Sequence, residues 1–304
     1  MIHSITVTNY LGDSIKLELT RPELSGFIVE SITGLGPGKA TVNISEVATN
    51  DGGLFNSTRL SARDIVLSLL FLPKETIEDV RQESYKYFPI KKETTLLIET
   101  DNRIAEITGR VESNDPKIFN KKEGTSITIT CPDPYFYSAE GDGTQVTVFS
   151  GIEPMFEFPF SNESLTEPLL NMGNIVLKKE NTINYTGDAD TGITIKIHAV
   201  GAAKSITIYN VGTRESMRID SEKIKTLTGE EIITGDDIII CTVKGKKSAT
   251  LIRSGLRINI LNCIDKNPDW FQLSKGDNIF AYATEGDDTH LQFTVENQLL
   301  YEGV

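Results

Sequence analysis

The 304-residue sequence predicts a mainly β fold in two parts, with one clear helix. Three observations carry that prediction. Many short runs alternate apolar and polar residues, Gly, Asn and Asp punctuate them, and a single stretch has the three-and-four spacing of an amphipathic helix. Ile127-Thr128-Ile129-Thr130, Ile193-Thr194-Ile195-Lys196-Ile197, Ile206-Thr207-Ile208 and Leu256-Arg257-Ile258-Asn259-Ile260 are typical runs. Their period of two sends one side-chain row into a core and the other to water. Asp101-Asn102, Thr228-Gly229-Glu230, Lys244-Gly245-Lys246 and Glu285-Gly286-Asp287 each separate two such runs and read as hairpin tips.

The helix is expected over about 75–88. Thr76 is placed to cap it, and Glu78 and Asp79 in the first turn complement the helix dipole. Ile77, Val80, Ser84 and Phe88 then share one face, and Pro89 ends the element. No long second helix is visible.

The segment from Thr33 to Arg59 differs from its surroundings. Gly34, Gly36, Pro37 and Gly38 precede a short strand pattern, and Asn50-Asp51-Gly52-Gly53 follows it. A Gly-rich polar segment between two strands is either a plain surface loop or a projecting hairpin arm that grips a partner. Asp51, Gly52, Gly53, Phe55 and Arg59 are the arm's candidate interface residues. Phe55, near the arm's return, either anchors a partner or packs on its own domain. A domain boundary is expected between 138 and 160. Cys131-Pro132-Asp133-Pro134-Tyr135-Phe136-Tyr137 closes the last N-terminal strand, and Glu140-Gly141-Asp142-Gly143 breaks the chain. The division drawn is 1–140 and 141–304.

Composition excludes several classes of function. Hydrophobic residues make up 38% of the chain, enough to fill buried cores, so a disordered chain is not expected. Thirty basic against 43 acidic residues give a formal charge of −13, with acid in excess in both parts, which disfavours a nucleic-acid surface. The longest apolar stretch, Ile65 to Leu72, is broken by Ser68 and falls short of the ~20 residues a bilayer needs. The opening MIHSITVTNY has no basic region leading into an apolar one, so no secretory signal and no membrane partner are expected. Cys131, Cys241 and Cys263 are odd in number and too dispersed for a disulfide framework or a zinc site; they read as reduced thiols.

Catalytic patterns are missing. His3, His198 and His290 have neither a nucleophile-elbow nor a zinc-helix context. Gly34-Leu35-Gly36-Pro37-Gly38-Lys39 lacks the spacing of a phosphate loop, and Gly187 to Gly192 lacks the ligand ladder of a calcium loop. No enzyme activity, cofactor or metal is expected. Trp270, the one tryptophan, either stacks on a sugar or caps the edge of a core, and the core reading is preferred.

Taken in order, these pieces resemble the siphovirus-type distal tail proteins of bacteriophages, the tail component family. The resemblance rests on the Gly-rich loop with Arg59-Leu60-Ser61-Ala62-Arg63-Asp64-Ile65, on the helix ending in Phe88-Pro89, and on Cys131 to Tyr137. In the second part it rests on Gly187 to Ile197, Ile208-Tyr209-Asn210, Leu227-Thr228-Gly229-Glu230, Gly235-Asp236-Asp237-Ile238, Asp269 to Asn278 and Leu300 to Val304. Cys241 stands where the family often shows Asp. The resemblance spans essentially the whole chain. It implies a small β-barrel-like, ring-forming domain with one helix and a hairpin arm over 1–140, similar to tail-tube subunits. A galectin-like β-sandwich over 141–304 completes it. It also implies a homohexameric ring in the virion's tail tip, made in the host cytoplasm. The implied partners are the tail tube protein, a tail-associated tip protein and receptor-binding or baseplate proteins, with DNA only as passing cargo. The alternative function is a carbohydrate-binding β-sandwich that recognises host surface glycan, with Trp270 as the platform.

Overall fold

The computed structural model describes residues 1–46, 51–73, 76–119, 122–141, 143–154, 173–286 and 290–304. The chain is mainly β, as the alternating runs predict, and separates into two compact units. One comprises Met1–Gly143 together with Leu300–Val304; the other is Thr144–Leu299.

The first unit begins with β1 (Ile2–Asn9), β2 (Ser14–Glu18) and β3 (Phe27–Thr33), the hairpin β4 (Ala40–Glu46) and β5 (Gly53–Leu60), and β6 (Arg63–Phe71). It continues with β7 (Glu93–Thr100), β8 (Ile104–Lys117), β9 (Gly124–Cys131) and β10 (Phe136–Ser138). One sheet runs in the order β2-β1-β7-β8-β9-β6-β3; β10 pairs with β8 and with the terminal strand Leu300–Tyr301. The short helix α1 (Pro22–Ser25) bridges β2 and β3, the two ends of that path, so the sheet curls toward closure. Its inner row is continuous from strand to strand: Ile5 and Val7, Leu96 and Ile98, Ile107 and Val111, Ile127 and Ile129, Ile65, Leu67 and Leu69 are all buried. Each such side chain contributes about 1.5–3 kcal/mol on burial.

The predicted helix is α2 (Ile77–Tyr87). Thr76 caps it, its Oγ accepting from the Asp79 amide at 3.2 Å. Val80, Ser84 and Phe88 form the buried face. Ile77, expected on that face, is 40% exposed: the buried face begins at Val80. Buried Asn114 fastens the helix by donating to the Ser84 carbonyl at 3.3 Å while accepting from the Thr125 hydroxyl at 2.6 Å.

The second unit contains β11 (Thr144–Val148), β12 (Ser150–Pro154), β13 (Gly173–Leu177), β14 (Glu180–Tyr185), β15 (Thr191–Ala199), β16 (Ile206–Asn210) and β17 (Glu215–Ile219). After these come β18 (Asp237–Cys241), β19 (Ser248–Arg253), β20 (Leu256–Asn259), β21 (Gln272–Leu273), β22 (Gly276–Thr284) and β23 (Leu291–Gln298). The larger sheet runs β11-β23-β15-β18-β19-β20 and the smaller β14-β22-β16-β17, with β12 and β13 paired separately. Side chains from both sheets fill one core: Ile193, Ile195 and Ile197 from the larger, Ile206, Ile208 and Phe280 from the smaller. Tyr282 on β22 stacks on Phe293 of β23 with ring centroids 3.8 Å apart, joining the two layers through the core. This is a β-sandwich.

Thr228-Gly229-Glu230 is not a hairpin tip. It ends a helix, α3 (Ser221–Thr228), capped by Asp220 and closed by Gly229 at φ +91°. The end of α3 is pinned by Arg253. Its Nε and Nη2 donate to the two oxygens of buried Asp236 at 2.9 and 2.6 Å, and Nη1 donates to the Thr228 hydroxyl at 3.0 Å. The bond to Asp236 holds the Arg253 guanidinium above its ordinary value. Asp236 is only 1% exposed, so removing either partner leaves a buried charge uncompensated. Asp236→Ala is therefore expected to lower the stability of this unit by about 3–5 kcal/mol in chemical denaturation. A shift within experimental error would show that water replaces the carboxylate.

Candidate functional site

The arm is a two-stranded antiparallel hairpin of β4 and β5 that pairs with no other strand among the described residues. Pairing runs Ala40 with Leu60, Thr41 with Arg59, Val42 with Thr58, Asn43 with Ser57 and Ile44 with Phe55; Asn56 is the extra residue of a bulge. Alternation and the bulge sort the side chains into two faces. Val42, Ile44 and Phe55 stand on one. Thr41, Asn43, Ser45, Leu54, Ser57 and Arg59 stand on the other, where Asn43 donates to Ser57 at 2.9 Å and Asn56 to Ser45 at 2.6 Å, with Leu54 exposed beside them.

Side-chain hydrogen bonds thus tie the strands together on the second face, and the Val42–Ile44–Phe55 face is bare. Ile44 is 58% exposed and Phe55 65%. Phe55 consequently does not pack on its own domain. Gly53 opens β5 opposite Glu46, and a Cβ there would meet Ile44 at 2.2 Å, so glycine lets the two strands close at the tip. Asp51 and Gly52 precede it in an exposed turn, with Gly52 at φ +88°. Residue Asn50 of the predicted turn lies outside the described residues.

The arm's root is held by a side chain that sequence reasoning did not single out as functional. Arg63, the first residue of β6, is 6% exposed. Its Nε donates to the Pro134 carbonyl at 2.7 Å, Nη1 to the carbonyls of Gly34 and Gly36 at 2.7 and 2.5 Å, and Nη2 to that of Glu302 at 2.7 Å. The guanidinium lies 4.7 Å from the Phe136 ring centroid. Burial lowers the Arg63 guanidinium from its ordinary value, against the opposing pull of Cys131 and Glu302. One cation therefore gathers the strand leading to the arm, the closure after β9 and the terminal tail. Arg103 repeats the device: its guanidinium lies 4.2 Å from the Tyr301 ring centroid and donates to the Gly303 carbonyl at 3.1 Å. The Val304 amide then donates to the Leu35 carbonyl at 3.1 Å. Gly34 sits at φ +88°, and a Cβ there would fall 2.2 Å from the Asp64 carbonyl oxygen. Only glycine fits where the chain turns into the arm.

Trp270 belongs to a different surface. It is half-buried against the core of the second unit, and the Lys247 ammonium lies 5.0 Å from its ring centroid. The histidines lie apart from the arm: His3 pairs with Asp101 at 2.7 Å and His198 with Asp237 at 2.6 Å, both at the surface. Among the described residues no group of His, Cys, Asp and Glu could hold a metal ion, and no helix is long and apolar enough to cross a membrane.

Residues 186–296 match the family model described as siphovirus-type tail component, C-terminal domain. The solved structure of the Dit protein (gp 19.1) of phage SPP1 is described as a paradigm of hub adsorption apparatus in phages infecting Gram-positive hosts. It aligns over 97% of this chain and 98% of that one, with 14% identity and a TM-score of 0.67. A chain of the phage P2 baseplate in its activated, calcium-bound conformation aligns over 97% of this chain and 98% of that one, with 12% identity and a TM-score of 0.48. No curated protein matches. The resemblance read from the sequence is borne out, by the family model in the second part and by the SPP1 protein's fold along the whole chain.

Two predictions follow from the root. Arg63→Ala strips partners from four carbonyls, each costing about 1–3 kcal/mol if left buried and unpaired, so urea denaturation should show a loss of at least ~3 kcal/mol. Arg63→Lys, a point charge without the planar fork, should recover less than half of that; full recovery by lysine would mean charge alone suffices. Cys131 gives the second. Burial pushes its thiol up to about 11 from 9.0. A group whose folded value lies above its unfolded one stabilises fully below the unfolded value, and that contribution is lost as pH climbs through the folded value. Unfolding free energy should thus fall between pH 9 and about 11, and Cys131→Ala should reduce the slope there. An unchanged slope would assign the fall to other groups.

Proposed function

We propose that this chain, which carries the C-terminal domain signature of a siphovirus-type tail component and the fold of the SPP1 hub protein, is the structural hub of a phage tail tip. In this reading it forms a homohexameric ring in the virion that joins the tail tube to the baseplate or adsorption apparatus and lets DNA pass. Its partners are copies of itself, the tail tube protein, a tip protein and receptor-binding or baseplate proteins. The work is done by shape and contact, without turnover of a substrate.

The arm is the observation that carries the reading. A hairpin with one apolar face in water is an incomplete structure, because Val42, Ile44 and Phe55 gain nothing until another surface covers them. A head-to-tail contact, in which one copy's arm lies on a different surface of the next, closes into a ring when its rotation divides the circle. The formal charge of −13 per chain fits a conduit for DNA, since like charge repels the phosphate backbone from the wall.

Light scattering on purified protein should give a mass near six chains, or a concentration-dependent approach to it. Phe55→Asp should weaken association by tenfold or more, since losing ~1.4 kcal/mol of buried aromatic contact is already a factor of ten; circular dichroism should not change. Deleting residues 40–58 should leave a folded protein of single-chain mass. Hexamers surviving that deletion would remove the arm from the interface. A strictly single-chain mass at high concentration for the intact protein, with tight binding to one glycan, would favour the carbohydrate-binding alternative.

A further inference from the structure

The arm's apolar face ends in an acid. Val42, Ile44 and Glu46 follow one another on the same side of β4, and Ile44 has Phe55 opposite it. Glu46 stands opposite Gly53, which has no side chain to cover it, and it is exposed. It enters no ion pair among the described residues. A surface that fits this face offers apolar side chains and, at one end, a cation.

One corner of the first unit offers both. The turn between β1 and β2 carries Tyr10 and Leu11, and the connection from α2 to β7 carries Ile90, Lys91 and Lys92. Asn9 ties the turn to the end of α2: its Nδ2 donates to the Lys86 carbonyl at 3.0 Å, and its Oδ1 accepts from the Leu11 amide at 2.9 Å. The Lys92 ammonium lies 5.1 Å from the Tyr10 ring centroid. Leu11 is 69% exposed, Ile90 52% and Tyr10 51%. In a chain of net charge −13 this corner is locally cationic. Lys91 and Lys92 are exposed and enter no ion pair among the described residues. Of the acids nearby, Asp13 is matched by Lys86 at 3.5 Å, and Glu93 stands across the strand pair from Arg110.

Lys91 is also held at φ +69°, in the left-handed region that long side chains rarely enter. Its amide donates to the Val111 carbonyl at 2.8 Å, the Val111 amide donates to the Lys92 carbonyl at 3.2 Å, and Arg110 Nη1 donates to the Lys91 carbonyl at 3.4 Å. A strained residue fixed this firmly, with its charge left in water, has the character of a contact residue rather than a fold-stabilising one.

We propose that the arm of one copy lies on this corner of a second copy, with Val42, Ile44 and Phe55 against Tyr10, Leu11 and Ile90, and Glu46 beside Lys91 and Lys92. The inference rests on the reading of this chain as a self-assembling hub and names the surface that the arm covers. Each copy carries one arm and one corner, both bare in the single chain and opposite in charge. Two different surfaces that complete each other give the head-to-tail contact from which a ring is built.

The test replaces Leu11 in the full chain by a benzophenone amino acid, mixes isotopically light and heavy protein, irradiates, and maps the cross-linked peptides. Mixed light–heavy cross-links to the arm peptide 40–59 are expected. Cross-links elsewhere, or none, in material whose mass shows several chains would overturn the corner and leave the hub reading standing. Cross-links to the arm within one chain only would overturn it as well. A single-chain mass with no intermolecular cross-link would remove both readings. Charge exchange supplies a second measurement: Glu46→Lys, or Lys91→Glu with Lys92→Glu, should weaken association by about tenfold or more, and the three together should restore it. Absence of restoration counts against the pairing. All three sites are surface charges, so circular dichroism should be unaltered.

Discussion

The Arg63 guanidinium is the interaction on which the rest of the first unit's geometry depends. A buried main-chain carbonyl needs a donor, and irregular segments have no ladder to supply one. Four carbonyls of irregular segments, from Gly34, Gly36, Pro134 and Glu302, converge on one side chain. Arginine suits the place because its fork presents several donors in one plane and its face can rest on the Phe136 ring. The result is a knot of three chain segments that cannot move independently. The arm leaves from this knot. A two-stranded hairpin is marginal by itself in water, so a fixed root is what turns β4 and β5 from a floppy excursion into a directed projection.

That division of labour explains where the polar and apolar groups of the hairpin lie. Asn43, Ser45, Asn56 and Ser57 bond one another across the strands and give the ladder side-chain support on the face that stays wet. Val42, Ile44 and Phe55 are left exposed on the other. Had the hairpin been an ordinary loop, the usual order would be reversed, with the apolar row laid down on its own sheet. Burial of that row would stabilise any contact that covers it, whereas folding of the single chain gains nothing from it.

Much of the architecture was legible because it depends on local pattern. Period-two runs such as Ile193 to Ile197 became strands with Ile193, Ile195 and Ile197 buried, and Asp101-Asn102 and Lys244-Gly245-Lys246 became turns between paired strands. The α2 helix announced itself through Thr76, Val80, Ser84 and Pro89 over three turns. The shorter α3 did not, since a two-turn helix with Ile224 as its main buried apolar residue has too few repeats to establish a period, and Gly229 then reads equally well as a hairpin tip. Arg63 was beyond reach for another reason. Its acceptors are main-chain carbonyls, which carry no residue identity, and one of them lies 239 positions away.

The terminal tail shows how two units can share one chain without compromising either. The second unit is entered at Thr144 and left at Leu299, and the strands flanking that excursion, β10 and Leu300–Tyr301, pair directly with each other, Phe136 opposite Tyr301 and Tyr137 opposite Leu300. Entry and exit are thus neighbours in the first unit's own sheet. Arg63 and Arg103 then hold the tail beyond the exit through the Glu302 and Gly303 carbonyls. In topological terms the second unit is an insertion between two paired strands rather than an appendage at one end. An insertion between paired strands leaves the host sheet's own pairing intact whatever the inserted sandwich contains. The sandwich core, with Tyr282 stacked on Phe293, is complete without the host. Each unit therefore carries its own core, and the pairing of β10 with Leu300–Tyr301 is made by the first unit's residues alone.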